Sequence, residues 1–170
     1  NATMAAAICT HLGINPVVAL ETIKNYKGLP YRLTKSHTVG GIDYYNDSAS
    51  TNPKTAIAAI ESFPGRSKVL ILGGKDKGLD YKPLGKAIEK ENVKLSIIFG
   101  ESKNKIKSSL GSKVKIKIVN TLEEAIDVAR KNSKENGVVI FSPGATSFDM
   151  FENYKHRGET FDKIVKKIKD

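Results

Sequence analysis

From Asn52 onward the chain alternates short apolar runs with helical segments, and that rhythm leaves few folds open. Lys68–Leu72, Leu95–Phe99 and Val138–Phe141 are short and almost wholly apolar. Strands that are apolar on both sides belong to parallel sheets buried under helices. A fourth strand, Val114–Val119, alternates Val114, Ile116 and Ile118 with Lys113, Lys115 and Lys117, which reads as a sheet edge kept soluble by lysine. Between the strands, Pro53–Phe63 carries Ala56, Ile57, Ile60 and Phe63 at helical spacing. Further helices are expected over Tyr81–Lys90, Lys103–Leu110, Leu122–Lys131 and residues 149–169. Thr121, with Glu124 three residues on, predicts a capping box. The fold class that follows is α/β, a mostly parallel sheet with helices on both faces.

Upstream the pattern differs. Residues 2–13 are Ala-rich and helical in character. Asn15-Pro16 restarts a helix, with Asn as cap and Pro at its first position, and Gly28 is the expected stop. Gly40-Gly41, between Arg32–Val39 and Ile42–Tyr45, signals a hairpin. At 170 residues the chain holds one full domain and a little more.

The net charge of +10 raises the question of nucleic acid. However, the lysines are scattered, as in Lys103, Lys105 and Lys107 or Lys163, Lys166, Lys167 and Lys169, without interleaved aromatics or an Arg-rich groove. A solvated surface explains them, and no nucleic-acid partner is expected. Cys9 is the single cysteine and sits in an Ala-rich stretch, so a buried structural thiol is expected. No run is long enough to span a membrane, no signal peptide opens the chain, and a cytoplasmic location is expected. The three histidines lack metal-ligand spacing and there is no CxxC, so no metal site is expected.

Three small polar clusters follow strands: Asn46-Asp-Ser-Ala-Ser-Thr-Asn52, Gly73-Gly-Lys-Asp-Lys-Gly78 and Ser142-Pro-Gly-Ala-Thr-Ser-Phe-Asp149. In open α/β sheets ligands bind beyond the carboxyl ends of the strands, so three such clusters argue for one composite site. The glycine cluster permits sharp turns and close backbone approach, and Lys77 offers a point charge to a carboxylate or phosphate. It is not a P-loop, since GxxxxGK[ST] is absent from the chain. On pattern alone a solvated turn serves equally well. The first cluster leads to Pro53 at a helix start, where Thr51 or Asn52 can simply cap. In the third, Ser147 or Asp149 can cap the last helix, and no serine-hydrolase triad with His156 is indicated.

In this order the three clusters resemble the C-terminal part of the Mur ligase family. Gly28-Leu-Pro-Tyr-Arg32, Asp76-Lys-Gly-Leu-Asp-Tyr81, Ser147-Phe-Asp-Met-Phe-Glu-Asn-Tyr154 and Arg157-Gly158 add to the match, which runs over essentially the whole chain. The resemblance is greatest to the members that join D-glutamate to UDP-N-acetylmuramoyl-L-alanine in peptidoglycan synthesis. It implies residues 1–33 as the last two helices of a central ATP-binding domain and residues 34–170 as a Rossmann-like, amino-acid-binding domain.

It further implies an ATP- and Mg2+-dependent amide ligase working through an acyl phosphate. ATP and Mg2+ would be held mainly by a central domain that this chain lacks. The isolated chain is then expected to be inactive and monomeric. D-glutamate would be bound by Thr51, Lys77, Ser147, Phe148 and Tyr154. The nucleotide would be met by Arg32 and Asp47, with Asn1 near it, and no covalent nucleophile is implied. One departure stands out: where the family motif often reads Asn-Asp-Ser-Lys, this chain has Ala49, and Lys75 is a candidate replacement. A doubly wound small-molecule-binding module without ligase activity is the alternative.

Overall fold

The computed structural model describes residues 2–91 and 93–168. The hairpin at Gly40-Gly41 forms, joining β1 (Thr34–Val39) to β2 (Ile42–Asn46) in antiparallel pairing, with a register shift between Lys35 and His37. Helices and strands then alternate as α3 (Pro53–Glu61), β3 (Lys68–Gly73), α4 (Lys82–Lys90), β4 (Leu95–Phe99), α5 (Lys103–Ser109), β5 (Ile116–Ile118), α6 (Leu122–Asn132), β6 (Val138–Phe141) and α7 (Tyr154–Lys166). Two helices precede the hairpin, α1 (Ala2–His11) and α2 (Pro16–Asn25). The six strands run in the order β1-β2-β6-β3-β4-β5, and all but β1 are parallel.

The alternation of side chains along β3 divides the core in two. Val69 and Ile71 face one layer, with Leu122, Ala125 and Ile126 of α6 and Phe161 and Val165 of α7. Leu70 and Leu72 face the other, with Ala56 and Ile60 of α3, Leu84 and Ile88 of α4 and Ile106 of α5. Both faces are dry, which is why the strand reads as a continuous apolar run.

The layers explain where the crevice lies. The last strand, β6, inserts between β2 and β3. The chain leaves β2 and β3 toward α3 and α4 on one face, but leaves β6 toward α7 on the other. The connections therefore part at the carboxyl end of β6, the kind of switch point that opens a ligand crevice.

Several local expectations need correction. The last helix begins at Tyr154, not near residue 149, because Asn153 rather than Ser147 or Asp149 is its cap: the Asn153 side chain accepts from the His156 N–H at 2.9 Å. Residues 147–153 are turn, with the Ser147 carbonyl accepting from the Phe151 N–H at 2.9 Å. Strand β5 is only three residues long, Ile116–Ile118, at the sheet edge. Helix α2 ends at Asn25, before Gly28, as Tyr26 turns extended. At α6, Thr121 Oγ1 accepts from the Glu124 N–H as expected, but the Glu124 carboxylate accepts from Asn120, one residue before the cap. Cys9 is only half-buried, because α1 buries no residue and α2 buries only Ala19.

Candidate functional site

The loop after β6 is stitched to both neighbours by backbone hydrogen bonds. On one side the Asp47 N–H donates to the Phe141 carbonyl at 2.8 Å and the Gly144 N–H to Ser50 at 3.1 Å. On the other, Gly73 donates to Pro143 at 2.9 Å and Lys75 to Thr146 at 2.8 Å. The three polar clusters thus share one rim. The close approach depends on Gly74, where a Cβ would lie 2.2 Å from the Thr146 carbonyl oxygen, and on Gly73, where it would lie 1.9 Å from that of Phe99. A fourth loop, not recognised in the sequence, joins them: Ser102 donates its N–H to Gly74 at 2.8 Å, and Glu101 to the Asp149 carboxylate at 3.0 Å.

The expected amino-acid site residues fall on this rim. Lys77 is exposed, and its Nζ lies 5.8 Å from the centroid of the Phe148 ring, which is itself 60% exposed. Ser147 is buried beside Phe148, and Tyr154 is partly exposed one turn further on. The Tyr154 carbonyl accepts from the Ser48 hydroxyl at 2.8 Å, tying the start of α7 to the first cluster. Thr51 is half-buried just ahead of Asn52, the true cap of α3, whose side chain accepts from the Thr55 N–H at 3.1 Å.

Arg32 and Asp47 share a separate shallow cleft of ≈ 240 Å³ against α3, with Leu33, Thr55 and Ala59. Asp47 is nearly inaccessible, one oxygen accepting from Leu33 N–H at 3.0 Å and the other from the Ser142 hydroxyl at 2.7 Å. Burial pushes its carboxyl above the ordinary value, and Ser142, Leu33, Arg32 and Arg157 pull it part of the way back. Asn1 lies outside the described residues.

Sequence reasoning noted Arg157 as part of the family match but gave it no role. Arg157 is fully buried, and it donates from Nε to Ser48 Oγ at 3.0 Å, from Nη1 to the Ala145 carbonyl at 3.0 Å and from Nη2 to the Ser48 carbonyl at 2.8 Å. One guanidinium therefore fastens the first cluster to the third. Burial lowers its pKa to about 10, with Asp149 and Asp47 acting in the opposite direction. A signal was available: the first turn of α7 reads Tyr-Lys-His-Arg with no acid, against the helix dipole. A cation there needs a specific reason.

A family model described as Mur ligase, glutamate ligase domain matches residues 31–144. The chain belongs to the Mur ligase family. A relative from Aquifex aeolicus (strain VF5), named UDP-N-acetylmuramoylalanine--D-glutamate ligase, is 45% identical over 165 residues, covering 97% of this chain and 40% of that protein. This Mur ligase chain therefore spans well under half the length of that relative. A pseudomurein peptide ligase type C from Methanothermus fervidus shares the fold with a TM-score of 0.70 at 17% identity, over 99% of this chain and 35% of that one. A MurF ligase from Thermotoga maritima in complex with ADP matches with a TM-score of 0.60 at 18% identity, over 95% and 36% of the two chains.

Ala49, in the first polar cluster, is half-buried and its N–H donates to the Tyr31 carbonyl at 2.9 Å. Lys75 reaches the same rim, but its Nζ is 3.7 Å from the Glu101 carboxylate. Among the described residues, Lys77 has no carboxylate partner.

Proposed function

We propose that this chain is the amino-acid-binding part of an ATP-dependent amide ligase that joins D-glutamate to UDP-N-acetylmuramoyl-L-alanine. The observation that carries the reading is the rim at the β6 switch point, where Lys77 is a cation without a carboxylate partner among the described residues. Lys77 and Thr51 hold one carboxylate of D-glutamate; Ser147, Phe148 and Tyr154 line the place of the other, in part through backbone N–H groups. Lys75, already beside Glu101, contributes less charge.

In the ligase reaction the L-alanine carboxylate takes the γ-phosphoryl group of ATP, giving an acyl phosphate and ADP. The amine of D-glutamate then attacks the carbonyl carbon, and phosphate leaves from the tetrahedral intermediate as the amine loses its proton. This domain positions the amine, and positioning supplies much of the rate in such chemistry. Arg32, lining the cleft of ≈ 240 Å³ against α3, meets the nucleotide, while Asp47, bonded to Leu33 and Ser142, holds the shape of that cleft. Magnesium supplies charge neutralisation at the phosphates. The central ATP-binding domain would supply most of its protein ligands, as the family resemblance implies.

Residues 1–33 belong with the preceding ATP-binding domain. Met4 and Ile8 on α1, Leu12 just after it, and Val17 and Leu20 on α2 stand exposed, an apolar surface that the ATP-binding domain covers. The chain alone, without a P-loop, makes no amide bond.

The test is amino-acid-dependent phosphate release by the full-length enzyme with D-glutamate, L-glutamate and D-aspartate. D-glutamate is the expected substrate, and Lys77→Ala raises its KM at least tenfold while leaving the KM for ATP within about twofold, since one lost charged hydrogen bond corresponds to roughly that factor. Equal use of the three amino acids, or unchanged D-glutamate kinetics in the variant, refutes the assignment.

A further inference from the structure

A cleft of ≈ 640 Å³ lies at the other end of the sheet. Lys68, which lines it, opens β3, while Gly73 at the crevice closes the same strand, about 16 Å away at the usual rise per residue. Val93 is the one apolar side chain in its lining, and cations predominate.

Three of the cations have structural duties. Lys68 is buried, donating to the Glu91 carbonyl at 3.1 Å with the Glu91 carboxylate 3.6 Å away. Lys94 donates to the Asn132 carbonyl at 2.8 Å, and Arg66 donates to the carbonyls of Asn136 and Gly137 and to Asp43. These offset the negative ends of helices and loops. Four others do not. Lys90, Lys113, Lys115 and Lys134 line the same cleft and are exposed, and none of their ammonium groups makes a hydrogen bond or ion pair among the described residues. Glu91 is the only carboxylate in the lining, and it faces Lys68.

We propose that this cleft is a binding site for a small, multiply charged oxyanion of the polyphosphate type. Convergent like charges repel one another, and a concave wall focuses their field on whatever enters. Lysine ammonium groups act as point charges suited to phosphate oxygens. The lining has no aromatic side chain on which a base could stack, which disfavours single-stranded nucleic acid. A flat membrane surface would touch only the rim of a concavity.

The experiment uses this chain and inorganic tripolyphosphate, titrated by calorimetry at low and at physiological salt. Binding is expected, weakening as salt rises. Lys113→Glu with Lys115→Glu should weaken it at least tenfold. Lys163→Glu with Lys166→Glu, an equal charge change on the exposed face of α7, should change it less than twofold. Circular dichroism checks that both variants keep the fold. Equal losses in the two double variants would mean attraction to net charge alone and overturn the site. So would absence of binding at low salt, or retention on anionic phosphatidylserine vesicles that tripolyphosphate fails to release.

Discussion

Replacing Arg157 with methionine tests whether one buried cation holds the site loops together. Its three donors sit 2.8–3.0 Å from their acceptors. Hydrogen bonds from a charged group contribute about 1.5–3 kcal/mol each, so the gross gain is roughly 5–9 kcal/mol. Against it stands the cost of holding the cation out of water. A pKa brought from 12.5 to about 10 corresponds to about 3 kcal/mol at 1.36 kcal/mol per pH unit. Methionine matches much of the volume but leaves the carbonyls of Ser48 and Ala145 buried without their donor. The expected net loss is about 3 kcal/mol, which in a domain of this size lowers Tm by roughly 6–12 °C. Urea unfolding followed by circular dichroism measures the first quantity and calorimetry the second. Arg157→Lys should fall between wild type and Met, since one ammonium cannot reach all three acceptors. A methionine variant melting within about 2 °C of wild type would show that desolvation cancels the hydrogen bonds, and the clamp would then carry no net stability.

Two further outcomes concern Asp43 and Gly74. Burial alone would raise the Asp43 carboxyl, but Lys35, Thr38 and Arg66 outweigh it and bring the value down to about 2. A lowered carboxyl stabilises the fold above its unfolded value near 4 and loses that contribution as pH falls toward 2. Solvent around Lys35 and Arg66 reduces the effect to about 1 kcal/mol. Asp43→Asn should therefore flatten the stability profile between pH 4 and 2 in urea titrations, and an unchanged slope would refute the assignment. Gly74→Ala would press a methyl against the Thr146 carbonyl oxygen at 2.2 Å, with little room to yield between two backbones. A loss of about 2–4 kcal/mol is expected, read by the same unfolding assay, and a change below about 0.5 kcal/mol would mean that the glycine loop is not held against the loop after β6.

Much of the fold was legible because the local signals agreed. Asn15-Pro16 caps and starts α2, Gly40-Gly41 turns the hairpin, and Lys68–Leu72 reads as buried strand. The last helix was misread because three polar residues, Ser147, Asp149 and Asn153, compete for its start. Asp149 is diverted to the Glu101 N–H, an atom some 48 residues away, and a local rule cannot weigh that partner. Cys9 was expected inside because it stands among alanines, yet apolar composition buries little here: α1 has no buried residue and α2 only Ala19.

The identity of the polar clusters, their positions just after strands and the family they mark are properties of the residue string, because turn chemistry and hydrophobic period are local. Their union into one rim is not. It arises because β6, the last strand made, enters between β2 and β3 and sends its helix to the opposite face. Strand order is decided by which buried faces pack best across the whole sheet, and so is the burial of Arg157 against Ser48 and Ala145. Those energies belong to pairs of residues far apart along the chain, and only the folded molecule brings them together.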